Sequence, residues 1–417
     1  MTGDGRRSAA RQKNTETTKR DLRTGRPLWA DSQGVRLPVR ALTAAVEVDV
    51  VIVGAGVSGA FMAHELSRDM SIAVIDRRGP IRGSTLASTA MLQWELDLPL
   101  IALADQIGAA KAVRVYKRSH AAVAELVALV RRERIACGLK AKSSLYLAGD
   151  VHGWRALRQE TSRRADLGFD SVFLDHAALD ERFGLDRTGA ILSAGSASAD
   201  PARLAAGLLR RASANGARIF APVEAAGVLR GRETVTVVTD AGVELRARQV
   251  VFCCGYEFPE GVPIDGAKVI STWAIASQPM TQAPAWLDDC LVWEASDPYL
   301  YCRTSGDGRL IVGGEDEASS ARHQDPKALA AKTRAIVAKI TTLIPRLDVK
   351  VDYAWAGAFG ESATSMPLIG AVPDMPRAYA VMGFGGNGIT YSMIASRIVG
   401  AAIRGRLDPE ADLFAFE

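Results

Sequence analysis

The stretch Val48-Asp49-Val50-Val51-Ile52-Val53-Gly54-Ala55-Gly56-Val57-Ser58-Gly59 decides the fold of this chain. Its first six residues form a mostly apolar, β-branched run that is typical of a buried parallel strand. After the glycine turn, the pattern predicts a helix over Val57–Arg68 and a second buried strand over Ser71–Ile75, which ends at Asp76. This order of strand, glycine turn, helix and strand predicts a βαβ unit about thirty residues long.

Each glycine of this turn has a separate task if the unit binds a dinucleotide. Gly54 permits the tight turn, Gly56 lets the backbone approach a pyrophosphate, and Gly59 lets the helix pack closely on the strand. Asp76 lies 22 residues after Gly54, where a carboxylate accepts hydrogen bonds from a ribose diol. We therefore predict dinucleotide binding. The competing interpretation is a glycine-rich turn in an ordinary α/β protein, with Asp76 as a solvated strand end.

The overall composition is that of an ordinary globular protein. The 417 residues suggest two or three domains, and 48% hydrophobic and 24% charged residues exclude disordered and collagen-like chains. The net charge of +4 is concentrated in residues 1–40, which carry ten basic and four acidic side chains, so the remainder sums to −2. We predict a basic, largely disordered extension over residues 1–40 in front of a nearly neutral body, with Pro27–Trp29 as the part that could be pinned to that body.

The cysteines bear on disulfides, metal binding and cellular compartment, and the uncharged stretches bear on whether the chain crosses a membrane. The five cysteines lack zinc-ligand spacing, so we predict neither a disulfide framework nor a metal site, and a reducing, cytoplasmic location is expected. Two 19-residue stretches without charge, Val269–Leu287 and Ala378–Ser396, are interrupted by prolines or by glycines. We therefore predict no integral membrane segment.

Further motifs follow the glycine turn in chain order. They are Gly83-Ser84-Thr85-Leu86-Ala87-Ser88-Thr89-Ala90, Val251-Phe252-Cys253-Cys254-Gly255, Tyr301-Cys302-Arg303, Trp355-Ala356-Gly357 and Gly383-Phe384-Gly385-Gly386-Asn387-Gly388-Ile389. Together with the glycine turn, this series resembles the D-amino-acid-oxidase-like family of FAD-dependent oxidoreductases, the group that includes glycine oxidase and sarcosine oxidase. The resemblance extends from about Val48 to Leu407.

The resemblance implies an α/β fold with a Rossmann-like FAD-binding domain that is discontinuous in sequence. We assign residues 41–115, 190–260 and 350–417 to that domain. Residues 116–189 and 261–349 are assigned to a substrate domain built on an antiparallel β-sheet and helices. The alternating pattern from Lys268 to Gly314 independently predicts antiparallel sheet.

The cofactor implied by the resemblance is FAD, which we expect to be noncovalent because no Cys or His lies in a recognisable attachment motif. Small and hydroxyl side chains at Ser84–Ala90 suit close approach by an extended cofactor, although a helix start capped by serines is an alternative. The predicted cofactor-binding residues are Gly54, Gly56, Val57, Ser58, Gly59, Asp76, Arg77, Ser84, Thr85, Ala87, Ser88, Val223, Cys254, Gly255, Gly357, Gly383, Gly385, Gly386, Asn387, Gly388 and Ile389.

The substrate pocket is expected to use the antiparallel segment. Tyr299, Tyr301 and Arg303 are spaced by two, so on a regular strand they share a face that offers two phenols and a guanidinium to a carboxylate. The alternative is a solvated or salt-bridged sheet face. Gln93 and Trp355 are further candidates, with a surface amide and a core tryptophan as their respective alternatives.

One position departs from the family pattern. Many amino-acid-oxidising relatives have an arginine two residues after the glycine of the Trp-x-Gly motif, and this chain has Phe359 there, followed by Gly360-Glu361. An apolar ring and a nearby acid suit a cationic amine better than an α-carboxylate. The departure favours a larger amine, or an amino acid held elsewhere, for example by Arg303.

We therefore predict an FAD-dependent oxidoreductase that oxidises the C–N bond of an amine or amino acid by hydride transfer to flavin N5, followed by imine hydrolysis. Oxygen or another acceptor would take the electrons. Because the flavin carries the chemistry, no catalytic side chain is predicted. One alternative is oxidation of a non-amine substrate such as a 2-hydroxy acid. A second, suggested by the basic extension, is a non-catalytic nucleotide- or RNA-associated protein, although no nucleic-acid partner is expected.

Overall fold

The computed structural model describes residues 21–231, 233–257, 259–264, 267–345, 347–383 and 385–416. The strands are β1 (Arg23–Gly25), β2 (Val46–Val53), β3 (Ile72–Ile75), β4 (Met91–Leu92), β5 (Lys140–Leu147), β6 (Ser171–Asp175), β7 (Gly189–Ser198), β8 (Arg218–Phe220), β9 (Ala225–Arg230), β10 (Val235–Thr239), β11 (Glu244–Phe252), β12 (Ala267–Pro279), β13 (Cys290–Glu294), β14 (Leu300–Thr304), β15 (Arg309–Glu317), β16 (Val351–Ser362), β17 (Leu368–Ala371) and β18 (Ala378–Met382). The helices are α1 (Val57–Leu66), α2 (Leu100–Ile107), α3 (Ala109–Arg132), α4 (Trp154–Asp166), α5 (His176–Phe183), α6 (Pro201–Ala214), α7 (Pro326–Leu343) and α8 (Gly388–Ile403).

The predicted βαβ unit is confirmed and forms the centre of a largely parallel sheet. Its strands run in the order β17-β18-β11-β2-β3-β8, and β2 pairs in parallel with both β3 and β11. The hairpin of β9 and β10 extends from β11. Helices α6 and α8 pack against α1. Val50, Ile52 and Val74 are fully buried, as expected for strands that are covered on both faces.

A second, mostly antiparallel sheet confirms the α/β architecture predicted with an antiparallel insertion. Its strands run in the order β1-β16-β12-β15-β14-β13-β5-β7-β4, with β6 beside β7. One pairing, between β13 and β5, is parallel. Helix α7 covers β12 and β15 and buries Ile336 and Ile340 completely.

The domain boundaries stay a prediction, but three strands bear on where they are drawn. β4, β16 and all of β7 except Gly189 lie within ranges that we assigned to the FAD-binding part, and all three belong to the second sheet. β16 pairs with β12 along most of its length, for example Ile270 opposite Phe359. The chain therefore crosses between the sheets at these strands.

Outside Pro27–Trp29, which the sequence allowed to be pinned to the body, the prediction of a disordered extension is wrong for residues 21–40. Strand β1 pairs with β16, with Arg23 opposite Gly357, and Leu22, Leu28 and Trp29 are buried. These three apolar side chains and the strand pairing supply the contacts that a disordered segment lacks. Residues 1–20 lie outside the described residues. Among the described helices, none is both long and apolar enough to span a bilayer.

Candidate functional site

The glycine turn joins β2 to α1 in a conformation that needs glycine. Gly54 has φ of 108°, and a Cβ there would clash with the Cys253 carbonyl oxygen at the end of β11. A Cβ at Gly59 would clash with the Gly54 carbonyl oxygen. Gly56 is the N-cap residue of α1, and the Val57 N–H donates to Thr85 Oγ1 over 3.0 Å. The turn leaves a side-chain-free cradle at a helix N-terminus, which suits a phosphate.

Asp76 lies at the end of β3, as predicted, and its carboxylate holds the cradle together. Its Oδ2 accepts from the Ala55 N–H and its Oδ1 from the Arg78 N–H, both at 2.8 Å. Burial raises the pKa of this carboxyl group, and the two backbone donors oppose that shift. The predicted contact with a ribose diol stays a prediction; each carboxylate oxygen accepts one of these two hydrogen bonds and has a second acceptor site.

The loop from Gly83 to Ala90 forms one wall of the site. Ser84, Thr85, Ala87 and Ser88 line a cavity there, and Ser84 Oγ is buried without a hydrogen-bond partner among the described residues. Two tryptophans hold this loop from behind by donating through Nε1: Trp355 to the Ala87 carbonyl over 2.9 Å, and Trp29 to the Ser88 carbonyl over 2.6 Å.

A single cavity of about 790 Å³ runs from the glycine cradle to the second sheet. All of the predicted cofactor residues except Gly59 line it, and so do Gln93, Tyr299, Tyr301 and Phe359 among the predicted substrate residues. Gly59 acts through packing, as the sequence indicated. Trp355 is fully buried behind the loop and does not line the cavity. Its predicted contact with substrate is therefore wrong.

Arg303 does not face the cavity, and its prediction as a carboxylate-binding residue is wrong. It is only 2% exposed and donates to the carbonyl oxygens of Thr89, Ala199 and Thr304 over 2.6–3.0 Å. Its guanidinium also stacks over the ring of Trp29. Arg303 lies on the same face of β14 as Tyr301, as expected for residues two positions apart on a strand. Around Arg303, however, other parts of the chain cover this face.

Aromatic rings line the end of the cavity at the second sheet, which we call the aromatic chamber. Tyr299 and Tyr301 stack with ring centroids 5.5 Å apart, and Tyr256 meets the edge of Phe359 at 6.4 Å. Trp293 also lines this end. The sequence pointed to Tyr299, Tyr301 and Phe359, whereas Tyr256 was missed although it directly follows the Val251–Gly255 motif.

Two carboxylates in the aromatic chamber were not predicted from the sequence either. Asp97 lines the cavity, and its Oδ2 accepts from the Gly386 N–H over 2.8 Å. Asp316 Oδ2 accepts from the Tyr299 hydroxyl over 3.1 Å, and burial raises the pKa of Asp316 to about 6. The surrounding protein likewise raises the pKa of Asp97. An acid inside the mostly apolar run Met91–Leu100 was the available signal for Asp97.

The glycine loop at the start of α8 completes the cavity. Asn387 Nδ2 donates to the Glu95 carbonyl over 2.6 Å, and the Gly385 N–H donates to the Gly360 carbonyl over 2.8 Å. Phe384, which belongs to the predicted motif, lies outside the described residues. Asn387, Gly388 and Ile389 at the N-terminus of α8 also line the cavity.

These features fit an extended dinucleotide cofactor. The cavity is long, it has two glycine-lined helix N-termini, and it contains the unpartnered hydroxyl of Ser84. The fold and the cradle define a dinucleotide-binding α/β protein whose cofactor cavity opens onto an aromatic chamber.

The chain belongs to the DAO family of FAD dependent oxidoreductases, whose family model matches residues 49–402. FAD is therefore its cofactor. Among curated relatives it is similar to a probable oxidoreductase OrdL of Haemophilus influenzae, 23% identical over 398 residues, covering 91% of this chain and 88% of the relative. It is also similar to gamma-glutamylputrescine oxidoreductase of Escherichia coli K12, 24% identical over 408 residues, covering 92% and 91%.

The fold is shared with solved structures. Glycine oxidase from Geobacillus kaustophilus superposes with a TM-score of 0.73 at 20% identity, covering 87% of this chain and 96% of that enzyme. This likeness confirms the α/β fold predicted from the glycine turn and the later motifs.

Proposed function

We propose that this FAD-dependent oxidoreductase oxidises the C–N bond of an amine. The observation that carries the proposal is the single cavity that joins the glycine cradle of the parallel sheet to an aromatic, acidic chamber on the second sheet. The relative named gamma-glutamylputrescine oxidoreductase supports a nitrogen-containing substrate.

The charge of the chamber favours an amine over a 2-hydroxy acid. The cations that line the cavity within the described ranges are Arg77, Arg78 and Arg230, on or beside the strands β3 and β9 of the parallel sheet. Arg77 and Arg78 both pair with Glu257. In the aromatic chamber, around Tyr299, the lining residues include the carboxylate of Asp97 and no cationic side chain. A 2-hydroxy acid would bring its carboxylate to a site without a cationic partner.

Bound FAD would take up a hydride, that is, two electrons and a proton, from the carbon next to the substrate nitrogen. The nitrogen then forms a C=N bond, and water hydrolyses it to a carbonyl compound and ammonia or a primary amine. Oxygen or another acceptor finally receives the electrons. The rings of Tyr299, Tyr301 and Phe359 would hold the substrate chain and exclude water until the hydride has left.

We propose that FAD is held without a covalent bond. Cys253 and Cys254 are the cysteines that line the cavity within the described residues, and both lie beside the cradle at the end of β11. Burial raises the pKa of the Cys254 thiol to about 12, so it stays protonated and unreactive at neutral pH. Acid precipitation of the holoprotein should release all of the flavin into the supernatant, and flavin retained in the pellet would contradict this.

Product analysis tests the reaction class. Purified holoenzyme is supplied separately with a panel of amines, amino acids and 2-hydroxy acids, together with oxygen or an artificial electron acceptor. The proposal expects release of ammonia or a primary amine, in a one-to-one ratio with the carbonyl product. Turnover of 2-hydroxy acids without nitrogen release would establish the alternative function.

A further inference from the structure

The carboxylate of Asp97 is a negative charge in the aromatic chamber that no cationic side chain of the described residues neutralises. The hydrogen bond that it accepts comes from the backbone of Gly386, and a Cβ on Gly386 would lie 2.7 Å from Asp97 Oδ1. Across the described part of the chain, no Arg, Lys or His side chain forms an ion pair with Asp97. A second carboxylate, Glu361, lies close enough to raise the pKa of Asp97 further.

A cation is the ligand that such a site favours. Asp97 is exposed on the cavity wall, so its carboxylate is accessible to a ligand, and a bound cation would supply the counter-charge that the neighbouring side chains do not. The stacked rings of Tyr299 and Tyr301 add negative π faces to the same chamber. Asp316 contributes further negative charge through its hydrogen bond with the Tyr299 hydroxyl.

The cation held by Asp97 is not the nitrogen that reacts. An amine gives up a hydride from its carbon only when its nitrogen has a free lone pair with which to form the C=N bond. A carboxylate beside an ammonium group raises the pKa of that group and so keeps the lone pair protonated. Pairing Asp97 with the reacting nitrogen would therefore oppose the reaction, whereas pairing it with a second nitrogen would not.

We propose that Asp97 binds a second, non-reacting ammonium group, so that the substrate is a diamine or polyamine without a carboxylate. This inference rests on the proposed amine oxidation. It goes beyond that proposal by assigning the substrate class and the residue that selects it. The aromatic walls would enclose the methylene chain between the two nitrogens.

The test compares diamines of three to six carbons with monoamines and ω-amino acids of matched length, using the wild-type holoenzyme and Asp97→Asn. The asparagine carbonyl still accepts from the Gly386 N–H, so the variant removes the charge and keeps the loop contact. We expect wild-type kcat/KM to favour diamines about ten- to hundredfold, the scale of one charge-assisted contact. Asp97→Asn should bring diamines down to the level of monoamines, mainly through KM.

The matched control is Asp105→Asn, on an exposed part of α2 outside the cavity. It should keep the wild-type diamine preference. An equal loss for monoamines and diamines in Asp97→Asn, with unchanged flavin absorbance and melting temperature, would overturn the inference, as would a wild-type enzyme without diamine preference. If no amine of any kind reduces the wild-type flavin, the proposed function itself fails, which is a distinct result.

Discussion

At the residue scale, Arg303 shows how a local pattern can be correct and its functional interpretation wrong. The spacing of Tyr299, Tyr301 and Arg303 predicts a shared face, and Tyr301 does line the cavity. Arg303 is two residues farther along, where Thr89, Ala199 and Trp29 cover it. These covering residues are at least a hundred positions away in sequence, so strand periodicity carries no information about them.

The first prediction follows from the burial of Arg303. Arg303→Met should destabilise the protein by about 3 kcal/mol, because it leaves three buried carbonyl oxygens without their donors. Denaturant unfolding measures this loss, and Arg334→Met, on an exposed part of α7, is the matched control. A changed KM for substrate with unaltered stability would show that the guanidinium binds substrate after all.

The second prediction concerns the pH dependence of substrate binding. Burial raises the pKa of Asp316 to about 6, opposed by hydrogen bonds from Thr272 and Tyr299 and reinforced by the nearby Asp97 and Glu361. Above this pH the carboxylate is charged and attracts a cationic amine. Protonation removes that charge as the pH falls through about 6, so KM should rise.

Initial rates of the wild type and of Asp316→Asn, measured on both sides of pH 6, give the two KM profiles, and their difference separates the titration of Asp316 from the protonation of the amine itself. Asp316→Asn should have a raised KM above pH 6 and should lack the part of the pH dependence that Asp316 causes. A variant that retains the wild-type profile would assign the titration to another group.

At the scale of elements, the glycine turn between β2 and α1 was predictable because its constraints are local. Strand, turn, helix and Asp76 all lie within thirty residues, and each is required by the same backbone geometry. Asp97 was not predictable as a site residue, because its contact is with Gly386 in the loop before α8, 289 residues away in sequence.

The third prediction tests this turn. Gly54→Ala should lose most of its FAD and about 3 kcal/mol of stability, because φ of 108° is strained for alanine and its Cβ would clash with the Cys253 carbonyl. Flavin content per protein and the melting temperature report both effects. Gly306→Ala, at a position with open space and without a positive φ, should change neither. Full flavin occupancy in Gly54→Ala would contradict the assignment of the cradle.

The order of residues 21–31 was only partly predictable, since the sequence indicated a contact with the body at Pro27–Trp29 alone. The basic, aperiodic composition of this segment is typical of disorder, and its order comes from pairing with β16 and from Trp29, which only the folded chain provides. Leu22 lines the cavity, so this segment forms part of the cofactor site.

The fourth prediction concerns Trp29, whose indole holds the Ala87–Ser88 wall from behind. Trp29→Ala should weaken FAD binding about tenfold, since it removes a buried ring and one hydrogen bond from the loop. Equilibrium titration of the apoprotein with FAD measures this change. Trp29→Phe, which keeps much of the packing, should lie between the alanine variant and wild type. Wild-type affinity in Trp29→Ala would remove the segment from the cofactor site.

At the scale of the whole molecule, two sheets contribute to one cavity, and its charge is divided along its length. Arg77 and Arg78 lie near the glycine cradle, whereas Asp97 lies in the aromatic chamber. The near-neutral net charge of the sequence outside residues 1–40 did not predict this division. A net charge adds together groups that lie far apart in the folded protein.

The proposed function requires that amines reduce the FAD bound in this cavity. The most direct measurement is the visible absorbance of the purified holoenzyme after anaerobic addition of a diamine. We predict that the oxidised flavin bands bleach, that they return when air or another acceptor is admitted, and that Asp97→Asn needs a higher diamine concentration for the same bleaching rate. A fully loaded holoenzyme whose flavin stays oxidised with every amine tested would contradict the account.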